Sequence, residues 1–156
     1  MKSNFQRVVS MELIALFYKT ANIIFREEQV CGCNGQRIDL GTDDGRFGIE
    51  IKSNTVDLKS GCGLNQEKYT FGYVCAPLKI AHQVIGYLYM KGMENTGVIA
   101  IDNDGDYTLI KGASPNKGLP CDYFITNQIE RVFFDNGAIY NRNTGTWGYI
   151  EISDIC

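Results

Sequence analysis

No apolar run in the sequence approaches the roughly 20 residues that a membrane span needs, and the first residues lack the apolar stretch of a secretory signal. These absences argue against a membrane protein and favour a cytoplasmic one. The six cysteines are therefore expected as free thiols rather than disulfides. With 156 residues, the chain has the length of one domain that can bury its own core.

An excess of basic charge is also missing, because the formal net charge is −3 and the pI is about 5.1. Proteins that hold duplex DNA through many phosphate contacts usually carry a basic surface. The composition therefore argues against a protein that binds duplex DNA tightly and without sequence preference. The same composition still allows a local cluster of basic residues.

Histidine occurs once, as His82. With Cys31, Cys33 and Cys62 it would complete four zinc ligands, but a C-x-C pair does not have the spacing of a zinc knuckle. His82 also falls in a predicted amphipathic helix with no carboxylate or thiol partner evident in the sequence. We therefore expect a surface histidine and no zinc site.

The sequence does contain a distinctive stretch from Arg37 to Ser53, where two short apolar runs flank the turn dipeptide Asp44-Gly45. This pattern predicts a β-hairpin with a two-residue type I′ loop. Strand alternation would then point Ile49 and Ile51 to one face, which can pack against a core.

The opposite face of this hairpin collects charged residues. In the predicted register Asp39 lies directly across from Glu50, and Lys52 follows on the same face. Two carboxylates placed opposite each other destabilise a sheet unless a cation lies between them. Mg²⁺ suits such a pair, because it prefers hard oxygen ligands and is often held by one or two carboxylates together with phosphate oxygens.

Asp39, ten intervening residues and then Glu50-Ile51-Lys52 resemble the D…(D/E)xK signature of the PD-(D/E)XK nuclease superfamily. The run from Glu50 to Pro77 is similar to small bacterial and phage members, in which the ExK strand leads into a Ser/Thr-x-x-Asp-Phe/Leu-Lys segment and a Gly-x-Asn loop. The resemblance covers roughly residues 10–112. No proline precedes Asp39, and the tail after Ala113 has no counterpart.

The resemblance implies a restriction-endonuclease-like fold and metal-dependent hydrolysis of DNA phosphodiester bonds, in repair, recombination or phage DNA processing. Asp39 and Glu50 would hold Mg²⁺ or Mn²⁺, with the backbone carbonyl of Ile51 as a further ligand. Lys52 would orient or deprotonate the attacking water. Nucleases of this fold that cut both strands often work as dimers, so a homodimer is an open alternative to a monomer.

The resemblance also implies a glutamate on the first helix that reaches the site. Glu12 matches best, with Glu27 and Glu28 as alternatives, although Glu12 is equally explained as a favourable first-turn charge. The loop after the ExK strand is where a substrate would approach. The residues expected to contact substrate are Ser53, Asn65, Gln66 and Tyr69.

The remaining pattern predicts an α/β fold with a mixed sheet and helices on its faces. A first helix is expected over Ser10 to Glu28, capped by Ser10. The further predicted elements are strands at Tyr69–Ala76, Thr96–Asp102 and Tyr107–Ile110 and a helix at Pro77–Tyr89. Asp102, Asp104 and Asp106 alternate like calcium ligands, yet turn chemistry explains them better.

We divide the chain into a nuclease-like core, residues 1–113, and a β-rich C-terminal extension, residues 114–156, packed on the same domain. The extension is predicted to be a β-meander with alternating aromatic residues. An alternative to the nuclease hypothesis is a non-catalytic module that retains the nuclease fold and binds a protein partner through its acidic surface or through this meander.

Overall fold

The computed structural model describes residues 3–30, 37–59, 68–116, 130, 138–141 and 146–149. Three helices and eight strands lie in these segments. In chain order they are α1 (Asn4–Ala21), β1 (Arg26–Val30), β2 (Arg37–Gly41), β3 (Phe47–Ile51), α2 (Thr55–Lys59), β4 (Phe71–Pro77), α3 (Leu78–Met90), β5 (Gly97–Ile101), β6 (Tyr107–Lys111), β7 (Ala138–Asn141) and β8 (Thr146–Tyr149).

Six of the strands form one mixed sheet in the order β1-β2-β3-β4-β5-β6. The first three strands run antiparallel, β3, β4 and β5 run parallel, and β6 returns antiparallel to β5. Parallel neighbours need a crossover connection, and α3 forms it between β4 and β5. The predicted α/β class with a mixed sheet is confirmed.

Helices cover both faces of this sheet, as the alternation along β4 shows. Tyr73 and Cys75 belong to the core cluster under α1, whereas Val74 and Ala76 belong to the cluster under α3. Strands buried on both faces in this way are rich in apolar residues throughout. The central strands β3 and β4 are buried along almost their whole length.

The first helix begins earlier than its predicted start at Ser10. Ser3 is the N-cap, and its hydroxyl accepts the backbone N–H of Gln6 while the Gln6 side chain accepts the N–H of Ser3. This reciprocal pair is a capping box, a Ser-x-x-Gln pattern that satisfies two backbone donors at a helix start. Ser10 is instead a buried residue inside the helix.

The predicted extension of that helix to Glu28 is also wrong. Asn22 adopts the left-handed conformation, with φ of 55°, and ends the helix. The next residues form the edge strand β1, which pairs with β2 through Arg26 and Gly41. An edge strand faces solvent on its open side, so the polar composition of Arg26–Val30 is compatible with a strand as well as with a helix end.

The hairpin of β2 and β3 has the predicted register, because Leu40 pairs with Ile49. Its loop differs from the predicted type I′ turn. Gly45 N–H donates to Thr42 O at 3.1 Å, and Gly45 has a positive φ of 76° whereas Asp44 does not. A type I′ turn needs positive φ at both central residues, so a longer loop closes the same register.

Tyr69, predicted to contact substrate, is instead a packing residue. Only 1% of its surface is exposed, and its ring lies against β2 and β3 at Gly41 and Gly48. A Cβ at Gly48 would lie 2.8 Å from both Ile38 Cδ1 and Tyr69 Cδ2. These glycines leave the space that the buried ring occupies, and this explains why the tyrosine is inaccessible to a substrate.

Gly48→Ala is therefore expected to lower the free energy of unfolding by about 2 kcal/mol, because the added methyl group overpacks a closed contact. Gly86→Ala is the matched control, since nothing lies within 4 Å of a Cβ at this helical position. It should raise stability by roughly 0.5–1 kcal/mol through helix propensity. Urea unfolding of both variants measures the difference, and equal stability of Gly48→Ala and the native chain would contradict this packing.

Part of the predicted C-terminal extension is described. Strands β7 and β8 pair antiparallel as a two-stranded sheet. Before them, Asn116 N–H donates to Thr70 O at 2.9 Å, which ties the chain just past residue 113 to the start of β4. The apolar run Val132-Phe133-Phe134, which the sequence also predicts as part of the meander, lies outside the described residues, and the division at residue 113 stays a prediction.

Candidate functional site

The site forms where β2 and β3 meet, because their pairing brings two carboxyl groups together. Ile51 N–H donates to Asp39 Oδ2 at 2.8 Å, and Asp39 N–H donates to Glu50 Oε1 at 3.0 Å. These two backbone N–H groups therefore donate to side-chain carboxyl oxygens, whereas in a regular hairpin they would donate to backbone carbonyls of the partner strand. The predicted meeting of Asp39 and Glu50 is therefore present, and each carboxyl group is held by a backbone N–H.

Lys52 completes the cluster. Its Nζ lies 3.3 Å from Glu50 Oε2, and its backbone N–H donates to Cys75 O at 2.9 Å, which continues the β3–β4 ladder. Ile49 and Ile51 pack under α1, so strand alternation places Glu50 and Lys52 on the other face. Asp39, Glu50 and Lys52 are all buried, with relative exposures of 8%, 5% and 2%.

Burial changes the protonation of this cluster. Removal from water raises the pKa of Glu50, and the neighbouring negative charge of Asp39 raises it further, to about 9, although Lys52 acts in the opposite direction. A hydrogen bond between the two carboxyl groups also favours the protonated form. With this pKa, Glu50 favours its neutral, protonated form at neutral pH, beside the second potential cation ligand Asp39.

Gln6 adds a contact that the sequence analysis did not anticipate. Its Nε2 donates to the backbone carbonyl of Ile51 at 3.0 Å, while its Oε1 takes part in the α1 capping box. The Ile51 carbonyl is the predicted third metal ligand, so the first turn of α1 lies directly at the site. The sequence signal for this helix start is the Ser-x-x-Gln capping pattern at Ser3 and Gln6, which competes with Ser10 as a possible cap.

Gln6→Glu separates the contact to Ile51 from the capping function, because glutamate retains an acceptor for Ser3 but cannot donate to a carbonyl when ionised. We expect the free energy of unfolding to fall by about 1–2 kcal/mol, the cost of leaving a partly buried carbonyl without its donor. Ser3→Ala, which removes a cap but not this bond, should cost about 1 kcal/mol. Denaturant unfolding at pH 7 compares the two, and an unchanged Gln6→Glu stability would contradict the role of the bond.

Glu12 is not brought to Asp39 and Glu50. It projects from α1, on the face of the sheet opposite to Glu50, and forms a hydrogen bond with Tyr107. Burial, with help from Cys75 and Glu12, raises the pKa of the Tyr107 phenol. The alternatives Glu27 and Glu28 are exposed on the edge strand β1. The prediction that Glu12 completes the site therefore gains no support from its position.

The predicted substrate-contacting residues have different outcomes. Ser53 directly follows Lys52, is half-buried and lines a surface cavity. Tyr69 is buried, as described above. Asn65 and Gln66 lie outside the described residues. Of the two members that the structure describes, Ser53 is therefore the accessible one and Tyr69 the buried one.

Three other carboxylates lie close together in the turn between β5 and β6. One oxygen from each of Asp102, Asp104 and Asp106 lies within 4.8 Å of the others. Asp102 Oδ1 accepts the backbone N–H groups of Asp104 and Asp106, both at 2.9 Å. These bonds fit the predicted turn chemistry. Among the four residues considered as zinc ligands, His82 is exposed, and Cys31, Cys33 and Cys62 lie outside the described residues.

Comparisons with known proteins assign no family. No family model and no curated protein matches the sequence. Among solved structures, the chain is similar to the SPO1766 protein from Silicibacter pomeroyi, which is itself described as being of unknown function. The two chains share 16% identity over 79% of this chain and 82% of that one, with a TM-score of 0.49. Within the described segments, no helix has the length and apolar character needed to cross a bilayer.

Proposed function

We propose that this chain is a metal-dependent nuclease with a restriction-endonuclease-like core, and that it hydrolyses a DNA phosphodiester bond at Asp39, Glu50 and Lys52. The observation that carries the proposal is the burial of these three ionisable residues around Glu50, whose carboxyl group lies 3.3 Å from Lys52 Nζ and accepts the backbone N–H of Asp39. Clusters whose pKa values are shifted by burial and by a specific charge partner are frequent at functional sites.

The charge balance of the cluster supports this proposal. When Asp39, Glu50 and Lys52 are all ionised, the cluster has one net negative charge in a place that water barely reaches. The proton held by Glu50 removes that charge in the isolated protein. A divalent cation together with one singly charged phosphodiester would remove it equally well. The site is therefore suited in charge to a metal ion and a phosphate at the same time.

The donor set also fits a hard divalent cation such as Mg²⁺ or Mn²⁺. Asp39 and Glu50 would hold the ion through carboxylate oxygens, and the Ile51 carbonyl, which now accepts from Gln6, is the further candidate ligand. A bound ion would supply an activated water and would neutralise charge on the phosphate.

The residues of the chain have separate tasks in this scheme. Ile51 N–H fixes the orientation of Asp39, and Asp39 N–H fixes that of Glu50. Lys52, held against Glu50, offers an ammonium that orients the attacking water and offsets negative charge on the phosphate oxygens. Phosphoryl transfer depends mainly on positioning and charge stabilisation, so a small rigid set of residues is sufficient.

The order of elements agrees with the resemblance to PD-(D/E)XK nucleases. A helix precedes the antiparallel strands that carry the Asp and the ExK triplet, and a parallel strand with a crossover helix follows. This agreement supports the proposed core. The support comes mainly from strands β2 and β3, which contain the site residues.

Cleavage of labelled linear, flapped and four-way-junction DNA with Mg²⁺ or Mn²⁺ tests the proposal. Asp39→Asn should lower the cleavage rate by about 10³-fold, because it removes a ligand charge and leaves the fold able to form. Asp43→Asn is the matched control, since Asp43 is an exposed residue paired with Arg26 in the turn region. Loss of activity in both variants, or in neither, would count against the assignment.

A second candidate is the non-catalytic interaction module. The observation that favours it is the exposed apolar set Val8, Met11 and Tyr18 on α1, spaced by three and seven residues along one side of the helix. Failure to cut any DNA form, together with failure to bind Mn²⁺, would favour this candidate over the nuclease.

A further inference from the structure

A cavity of about 380 Å³ opens beyond the carboxyl ends of the parallel strands β3, β4 and β5, at the end of β3 that leads into Lys52 and Ser53. Ligands of open α/β sheets commonly bind in the crevice at this end of the strands. The volume is within the range of about 300–1,000 Å³ that small-molecule sites occupy.

The lining of the cavity combines apolar and polar side chains. Phe5, Leu78 and Ile101 supply an aromatic ring and aliphatic surface. Lys79 adds a positive charge and Asp102 a negative one, while Asn103 and Ser53 add an amide and a hydroxyl group. A ligand that fits this lining has a flat apolar body, a hydrogen-bonding edge and a negative charge, and a nucleotide has all three.

Two residues that line the cavity are sequence neighbours of residues at the carboxylate cluster. Ser53, which lines it, directly follows Lys52 at the end of β3. Phe5, also in its lining, precedes Gln6, whose amide holds the Ile51 carbonyl. A group bound in the cavity would therefore lie at the same end of β3 as Lys52, one residue along the chain from the carboxylate cluster.

We propose that this cavity binds one unpaired nucleotide of a DNA strand, next to the phosphodiester hydrolysed at the carboxylate cluster; this rests on the proposed function. The base stacks against Phe5 and Leu78, Asp102 and Asn103 contact its polar edge, and Lys79 contacts a flanking phosphate. A base inside a duplex is covered by its neighbours, so it must leave the stack to enter such a pocket. The substrate is accordingly a flap, a branch or a single strand.

The low basic charge of the chain is consistent with this mode of recognition. A net charge of −3 does not suit an extended grip on duplex phosphates. Stacking of one base on apolar side chains depends less on a basic surface and is tolerant of sequence. Binding of one unpaired nucleotide in the cavity thus explains how a protein with net negative charge recognises a nucleic acid.

Binding in the presence of EDTA tests the cavity without any cleavage. The probe is an oligonucleotide with one unpaired 2-aminopurine, whose fluorescence reports stacking, and the reference is the fully paired duplex. The native chain should bind the unpaired probe at least about tenfold more tightly. Equal affinity for the two, or equal affinity for free dAMP and the strand, would overturn the inference.

Two pairs of variants on α3 localise the effect. Leu78→Ala and Lys79→Ala change exposed residues at the start of the helix, in the cavity. Met90→Ala and Lys91→Ala change the same residue class at its far end, where both side chains are exposed. The first pair should weaken binding of the unpaired probe by about tenfold each, and the second pair by less than about twofold. Equal losses from both pairs would overturn the placement in the cavity.

The cleavage assay separates failure of this inference from failure of the proposed function. Metal-dependent cutting with equal rates on paired and unpaired substrates would retain the nuclease and overturn the nucleotide pocket. Tight EDTA-resistant binding of the unpaired probe without cutting under any metal would retain the pocket and overturn the nuclease. Preferred cutting next to the unpaired nucleotide, lost in Leu78→Ala, supports both.

Discussion

Glu50→Gln should stabilise the protein at neutral and alkaline pH. In the folded chain the Glu50 carboxyl group has a pKa of about 9, against an ordinary value of 4.5. A carboxyl group with a raised folded-state pKa contributes full stability below its unfolded pKa, and that contribution is lost as the pH rises towards the folded pKa. Between pH 5 and pH 8 this loss is on the order of 4 kcal/mol, from about 1.4 kcal/mol per pH unit.

Glutamine reproduces the neutral acid and does not ionise, so the variant should not show this loss. The quantity to measure is the difference in unfolding free energy between Glu50→Gln and the native chain at pH 5 and at pH 8. We expect it to increase with pH by about 4 kcal/mol in favour of the variant. Glu27→Gln, at an exposed carboxyl on β1, is the control and should give a nearly constant difference. A constant difference for Glu50→Gln would contradict the proton shared with Asp39.

The second large expected effect is on catalysis. Lys52→Met should lower the rate of metal-dependent DNA cleavage by about 10³-fold, the range found when one preorganised charged donor is removed from a transition state. Methionine retains much of the length of the buried side chain but has no charge to offset the phosphate oxygens. The prediction concerns the chemical step, so single-turnover cleavage at saturating protein is the appropriate measurement.

Lys19→Met provides the control for the loss of one positive charge, because Lys19 is exposed in the last turn of α1. Its rate should stay within about twofold of the native rate, since surface charges far from a site act mainly through screened, long-range interactions. Circular dichroism of Lys52→Met distinguishes lost chemistry from lost folding. A folded Lys52→Met chain that cuts at the native rate would remove Lys52 from the mechanism.

The hairpin could be predicted from sequence because its pattern is local. Alternation of Ile49 and Ile51 with Glu50 and Lys52 leaves one register that buries the apolar side chains, and that register also sets Asp39 against Glu50. The loop type was wrong although the register was right. Several loop lengths can close the same pairing when the apolar faces already determine it.

The contacts missed by the sequence analysis depend on tertiary structure or on competing local signals. Ser3 and Ser10 are both credible helix caps, and only the reciprocal bond with Gln6 distinguishes them. The burial of Tyr69 depends on the space left at Gly48, which lies more than twenty residues away in the chain. Propensity and periodicity contain no information on such a contact. Glu12 was misplaced because the sheet lies between its helix and the carboxylates.

Buried carboxylates that repel each other lower stability, so their retention in a core position calls for a function. Here the loss of stability comes from Asp39 and Glu50, because Lys52 offsets their negative charge only in part. A stability gain in Glu50→Gln together with an activity loss in Lys52→Met would connect both expectations to one cluster. This pattern is the trade-off expected when an active site is destabilising for the fold.

The central claim is that Asp39 and Glu50 form a divalent-metal site, and calorimetric titration with Mn²⁺ at pH 7.5 tests it most directly. The account predicts one Mn²⁺ site per chain that is lost in Asp39→Asn and retained in Asp104→Asn, which alters the cluster of Asp102, Asp104 and Asp106 found among the described residues. Retention of the site in Asp39→Asn and its loss in Asp104→Asn would contradict the account and move the metal to the turn between β5 and β6.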